Sequence, residues 1–194
     1  MNSLDSRPMP LNVVVEGVIR ALRYREVEPH LRACEALADL GCGREYRFLK
    51  RNRHLAKRCW GLDVDTVDGS DGNITLRQAD ITRPLPLATD SVDLVTCLAV
   101  IEHVDDPLPL LSECHRILRR GGRLILTTPS ERGIHVHEVI RRLALVRDVQ
   151  EGEHKDFTMS KERLAGWMRQ AGFAVETAYS FELGLNLVVV GVRS

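Results

Sequence analysis

An acid and two glycines one residue apart, Asp39-Leu40-Gly41-Cys42-Gly43, stand between an apolar run, Cys34–Ala38, and a stretch with helical spacing, Tyr46–Ala56. A glycine pair in that place restricts the chain to a strand-turn-helix unit whose turn is open to a ligand. Glycine takes φ > 0 without strain and meets an approaching molecule with no Cβ. The helix that follows begins with N–H groups that have no partner inside it.

The rest of the chain extends that unit. Residues 1–10, with two prolines, read as a loose tail. Leu11, Val14, Val15, Val18, Ile19 and Leu22 recur at three- and four-residue spacing and predict an N-terminal helix over 11–30, broken at Pro29. Strands are expected at Cys34–Leu40, Arg58–Asp63, Ile74–Ala79, Val92–Leu98 and Arg123–Thr128. A helix is expected over Arg44–Lys57, and another from Asp106-Pro107 to a stop at Gly121-Gly122. Thr66–Asn73, rich in Gly and Asp, reads as a loop or single turn where a helix is usual. Val136–Val149 has helical spacing, Gln150–Phe157 reads as a loop, and Ser160–Ala171 as a helix. Phe173–Tyr179 and Leu185–Val192, joined through Gly184, are too close for a crossover helix and must run antiparallel. The expected fold is α/β: a Rossmann-like, seven-stranded, mostly parallel sheet with an antiparallel C-terminal hairpin and helices on both faces.

Composition limits the function. The 194 residues suffice for one domain, 1–194. Lys plus Arg equal Asp plus Glu at 27 each, so a nucleic-acid partner is not expected. Five scattered cysteines without a CxxC pair argue for reduced thiols, no metal site and a cytoplasmic location. No apolar run approaches the ~20 residues that span a bilayer.

Ligands of open α/β sheets lie beyond the carboxyl ends of the strands. Those ends carry Gly41–Gly43, Asp63, Asp80 and Cys97–Ala99, with Glu102-His103 beyond. Asp63, 20 residues past Gly43, suits a ribose diol, with charge-assisted bonds worth ~1.5–3 kcal/mol each. Asp80 suits an adenine amino group, with Ile81 against the ring; a turn acid before Thr82 is the plainer alternative. A dinucleotide fingerprint needs a third glycine where Tyr46 stands, and no phosphate-loop Lys follows. The pattern fits a nucleoside whose tail is not phosphate.

Six pieces occur in order: Asp39–Gly43, Gly61–Asp63, Gln78–Ile81, Asp90–Val95, Ile101–Pro107 and His115–Gly122. Together, across about residues 30–192, they resemble class I S-adenosylmethionine-dependent methyltransferases. The resemblance implies S-adenosyl-L-methionine as cofactor and S-adenosyl-L-homocysteine as product. It implies that Asp39, Gly41, Cys42 and Gly43 pass beneath the methionine part, Asp63 binds the ribose with Val64 among the cofactor-binding residues, Asp80 and Ile81 flank the adenine, and Cys97, Leu98 and Ala99 touch the methionine portion through backbone. Glu45 stands where many members keep a further glycine. Ala99 replaces an acid that ubiquinone-biosynthesis O-methyltransferases use around a divalent metal, so no metal is expected.

Methyl transfer from a sulfonium asks the protein mainly to align the acceptor, which supplies ~7–11 kcal/mol in favourable cases. A base is needed only where the acceptor must lose a proton. His103 is the candidate base, and a structural role in its loop is the alternative. His135, His137, His154 and Asp156 fall in the 130–158 insert, expected to cover the acceptor side, as do Arg141, Arg142 and Arg147. The expected activity is methylation of a small molecule at oxygen, nitrogen or carbon. The competing expectation is a non-catalytic cofactor-binding or scaffold protein that keeps the fold, motivated by Glu45 and the missing second helix.

Overall fold

The computed structural model describes residues 10–135 and 159–194, with side chains from residue 17 onward. Helix α1 (Pro10–Val27) closes in a 3-10 turn, Glu28–His30, where Pro29 removes a backbone donor. Strand β1 (Cys34–Leu40) follows, then the glycine turn and α2 (Arg47–Asn52). Next come β2 (Ala56–Asp63), β3 (Gly69–Asp71), β4 (Ile74–Gln78) and β5 (Val92–Leu98). Helix α3 (Pro107–Ile117) starts as its sequence requires: the Asp106 carboxylate accepts from Leu108 N at 3.1 Å, and Pro107 takes the first position. After β6 (Leu118–Pro129), α4 (Lys161–Gln170) is capped by Ser160, whose hydroxyl accepts from Arg163 N at 3.2 Å. Strands β7 (Phe173–Phe181) and β8 (Asn186–Arg193) complete the chain.

The sheet order is β3-β4-β2-β1-β5-β6-β8-β7. Strands β4, β2, β1, β5 and β6 are mutually parallel; β8 runs antiparallel to both β6 and β7. The seven expected strands are all present, and an eighth joins them. Gly69–Asp71, read from sequence within a loop, pairs antiparallel with β4 through a two-residue turn at Gly72-Asn73, Gly72 having φ +61°. Arg53 pins this hairpin: Nη1 donates to Asp71 Oδ1 at 3.2 Å and Nε to Asn73 Oδ1 at 3.1 Å.

Two boundaries differ from expectation. Helix α2 is shorter than Arg44–Lys57 because Tyr46 sits in the left-handed region (φ +37°), which delays the helix, while a 3-10 turn at Arg53–Leu55 leads straight into β2. Gly121-Gly122 do not cap α3, which already ends at Ile117. They lie within β6, where pairing moves from Val92↔Leu118 to Leu94↔Arg123 and the intervening residues bulge out, Gly121 at φ +76°.

Side-chain alternation along each strand divides the core in two. Ala36, Ala38, Leu40, Val95, Cys97, Leu124 and Leu126 pack with Leu110, Leu111 and Ile117 of α3 and Leu164 and Met168 of α4. Leu37, Leu94, Ile125, Val188 and Val190 face the other way, onto Val27 of α1 and Phe48 and Leu49 of α2. Leu37 is fully buried; its truncation to Ala is expected to cost ~2–5 kcal/mol. Helix α1 is fastened at its carboxyl end. Tyr24 meets Phe48 edge-on at 5.4 Å, and the Tyr179 hydroxyl donates to Glu26 O at 3.2 Å while lying 3.1 Å from His30 Nε2.

Candidate functional site

The carboxyl ends of β1, β2, β4 and β5 gather the residues that the sequence singles out. Gly41 (φ +72°) and Gly43 (φ +68°) both use the left-handed region, which explains glycine at each. The turn's amides are occupied. Gly41 N and Cys42 N donate to Leu62 O at 2.8 and 3.3 Å, and Gly43 N donates to Asp63 Oδ2 at 2.7 Å. They are therefore not arranged as a cradle for phosphate. A Cβ on Gly43 would meet nothing within 4 Å, so the turn's outer side has room for a ligand, whereas one on Gly41 would overlap Val100.

Among the described residues Asp63 is held by backbone groups: Oδ2 by Gly43 N and Oδ1 by Asp65 N at 2.8 Å. A carboxylate has about four acceptor sites, so two remain for a diol. Val64, 54% exposed, lies beside it as an open apolar surface. Asp80 Oδ1 accepts from both Thr82 Oγ1 (2.6 Å) and Thr82 N (2.9 Å), which holds its pKa below the ordinary carboxylate value. Asp80 thus shapes the turn through Oδ1, while Oδ2 faces Arg83 Nε at 3.8 Å. Ile81 is buried in the core on the α3/α4 side.

Asp39 lies inside the protein, 3% exposed, with Oδ1 accepting from the Thr96 hydroxyl at 2.6 Å. Burial pushes its pKa up to about 7, with the Thr96 bond opposing and Asp63 adding a smaller upward push. Thr96 escaped sequence reasoning. The signal available was a polar residue within the apolar run Leu94–Leu98 of a parallel strand. Cys97, next in β5, points to the opposite face and is fully buried, so it offers a ligand only backbone, while Leu98 is half-buried. Burial lifts the Cys42 thiol to about 12, well away from a reactive thiolate.

After β5 the chain turns sharply. Ala99 has φ +57°, a strained value for a residue with a Cβ, and its N–H donates to Thr127 O at 2.9 Å. Val100 then covers Gly41, and a 3-10 turn, Ile101–His103, follows. His103 is exposed, yet partial burial of its ring lowers its pKa and favours neutral imidazole, the form that accepts a proton. Glu45 is exposed and pairs with Arg47. His135 is exposed, its Nδ1 2.8 Å from Glu131 O. His137, His154, Asp156, Arg141, Arg142 and Arg147 lie outside the described residues. Among the described residues, no group of three or more His, Cys, Asp or Glu is placed to hold a metal.

Residues 38–126 match the family described as methyltransferase domain. A ubiquinone biosynthesis O-methyltransferase of Xanthomonas oryzae pv. oryzae is 36% identical over 91 residues, 45% of this chain and 38% of the relative. A probable S-adenosylmethionine-dependent methyltransferase of Mycolicibacterium smegmatis is 34% identical over 105 residues, 52% of this chain and 40% of the relative. The chain thus spans well under half the length of these curated relatives. Among solved structures, a chain from the complex between the Haloferax volcanii Trm112 methyltransferase activator and its methyltransferase superposes with a TM-score of 0.67. It is 20% identical and matches 95% of this chain and 97% of that one, a likeness of fold.

Proposed function

We propose that this chain, whose residues 38–126 match a methyltransferase domain, is a class I S-adenosylmethionine-dependent methyltransferase that transfers a methyl group from S-adenosyl-L-methionine to a small-molecule acceptor. The observation that carries the reading is Asp63. Its carboxylate is fixed by two backbone N–H groups, keeps two acceptor sites, and stands beside a glycine turn whose own amides are consumed. That combination suits the diol of an adenosine without a pyrophosphate. S-adenosylmethionine would supply an activated methyl group already on sulfur.

The chain's own residues divide the work. Gly41, Cys42 and Gly43 give a close backbone surface for the methionine part, with Asp39 beneath. Asp63 and Val64 would hold the ribose and its edge, and Asp80 and Ile81 the adenine end. Cys97 and Leu98 would border the methionine portion. His103 would take a proton where the acceptor must lose one. The O-methyltransferase among the relatives favours oxygen as the acceptor atom. The balanced charge favours a small molecule over nucleic acid. Free thiols at all five cysteines support a cytoplasmic setting.

Calorimetry with S-adenosylmethionine and S-adenosylhomocysteine tests this first. Saturable binding of both is expected, and no binding at millimolar cofactor sinks the enzyme reading. The scaffold alternative loses part of its motivation, since Glu45 is engaged with Arg47.

A further inference from the structure

Buried polar groups near the carboxyl ends of β6 and β7 are not absorbed by cofactor binding. Glu182 opens the turn Glu182–Gly184 between β7 and β8, and Asn186 opens β8 opposite Pro129 of β6. Asn186 is 3% exposed and its Nδ2 donates to Glu182 Oε2. That bond fixes which end of the amide is oxygen, because the reverse would set two acceptors against each other. Three atoms here are buried without a hydrogen-bond partner among the described residues: Asn186 Oδ1, Glu182 Oε1 and Arg23 Nε. Arg23 reaches in from α1, largely out of water, within electrostatic range of Glu182 and of Glu102 in the turn after β5.

The arrangement is built rather than loose. Ser130 Oγ donates to Gly184 O at 2.6 Å and Ser130 N to Leu185 O at 2.8 Å, while Gly133 N donates to Ser130 Oγ at 3.1 Å. The β7–β8 turn is thereby clamped to the segment leaving β6. Glu182 and Leu183, both non-glycine, are held at φ +50° and +56°. Such strain persists where surrounding structure over-determines it and clusters at ligand sites.

Resting on the reading of a small-molecule acceptor, we propose that Arg23, Glu182 and Asn186 form its recognition subsite and take an uncharged carboxamide-like group. The three unpartnered atoms are one donor and two acceptors. A primary amide is the complement, with two N–H hydrogens for Glu182 Oε1 and Asn186 Oδ1 and a carbonyl for Arg23 Nε–H. A carboxylate or phosphate offers only acceptors. It would face two protein oxygens and an arginine whose charge Glu102 and Glu182 already answer.

The test uses the full chain saturated with S-adenosylhomocysteine, with saturation read separately by calorimetry. Benzamide and benzoate, matched in shape, are added at equal millimolar concentration and followed by thermal shift and protein NMR. Benzamide is expected to raise Tm and benzoate to leave it unchanged. Arg23→Met and Asn186→Leu should abolish the benzamide response, and the near-isosteric Glu182→Gln should weaken benzamide about tenfold. Without ligand, Asn186→Leu should lose some stability, since it strips Glu182 Oε2 of its donor along with removing the unsatisfied oxygen. A benzoate response equal to or above that of benzamide overturns the proposal, as does no benzamide response. An undiminished benzamide response in Glu182→Gln also overturns it, leaving these groups a structural network. If S-adenosylhomocysteine fails to bind, the methyltransferase reading falls, while benzamide on the protein alone still decides the subsite.

Discussion

The Thr96 hydroxyl donates to Asp39 Oδ1 across 2.6 Å, between two strands and out of reach of water. One neutral donor is a small compensation for a buried carboxylate, so Asp39 holds its proton to a pH of about 7. A group whose folded pKa lies above its ordinary value of 3.8 adds stability that is complete below about pH 4 and is lost as pH rises through about 7. Asp39→Asn should therefore remove a decline in stability on the order of a few kcal/mol over that window. Urea denaturation of both proteins at a series of pH values measures it. Equal pH slopes in the two would contradict the assignment.

Thr96→Val keeps shape and deletes the donor. A loss of ~1–3 kcal/mol is expected above about pH 8, where the ionised carboxylate is left without its hydroxyl. At pH 5, where Asp39 is protonated and able to donate instead, the loss should shrink. Thermal unfolding at the two pH values distinguishes this from a simple packing defect, which would cost the same at both.

Asp63→Ala removes both the turn's anchor at Gly43 N and the expected ribose acceptor. Affinity for S-adenosylhomocysteine should fall by ~10–100-fold, corresponding to ~1.5–3 kcal/mol for hydrogen bonds to a charged group. Calorimetry reads it directly, and unchanged affinity refutes the ribose role.

Gly41→Ala meets two obstacles, a backbone at φ +72° and the side chain of Val100. A destabilisation of ~1–3 kcal/mol is expected. Adding Val100→Ala should restore only the part due to overlap, since it leaves φ unchanged. Full rescue in a thermal melt would show that space alone required glycine.

His103→Ala should lower turnover on the order of a hundredfold with cofactor affinity kept, the usual share of a general base. Burial lowers the His103 pKa, so the acid limb of the parent's rate profile should lie below pH 6.5 and vanish in the variant. Loss of cofactor binding instead would mark His103 as part of the loop's architecture.

Legibility in the sequence followed local chemistry. Asp106 and Ser160 cap helices by short-range bonds, and both are readable from the side-chain type and the pattern that follows. The turn at Asp39–Gly43 is likewise local. The strand Gly69–Asp71 was hidden because a glycine and two polar residues carry no apolar alternation; the Asp71-Gly72 hairpin signal was present but short. Gly121-Gly122 was ambiguous in principle, since a helix stop and a bulge both ask for positive φ. Within the His115–Gly122 piece, Arg116 turned out to clamp a loop, donating to Leu85 O and Leu87 O at 3.1 and 2.9 Å. Thr96 beneath Asp39, and Arg23 near Glu182, depend on strand register and helix docking between residues 57 or more positions apart, which no local window contains.

The small strand Gly69–Asp71 also decides how the sheet ends. On that side the boundary is a glycine and two polar residues, with Arg53 drawn across Asp71. So short and charged a border is a poor template for another chain's backbone. The opposite border, Phe173–Phe181, is nine residues long and bears aromatic side chains at both ends. Self-association of partly unfolded molecules should therefore begin at β7, and solubility engineering belongs there, at outward positions such as Ala174 and Ser180.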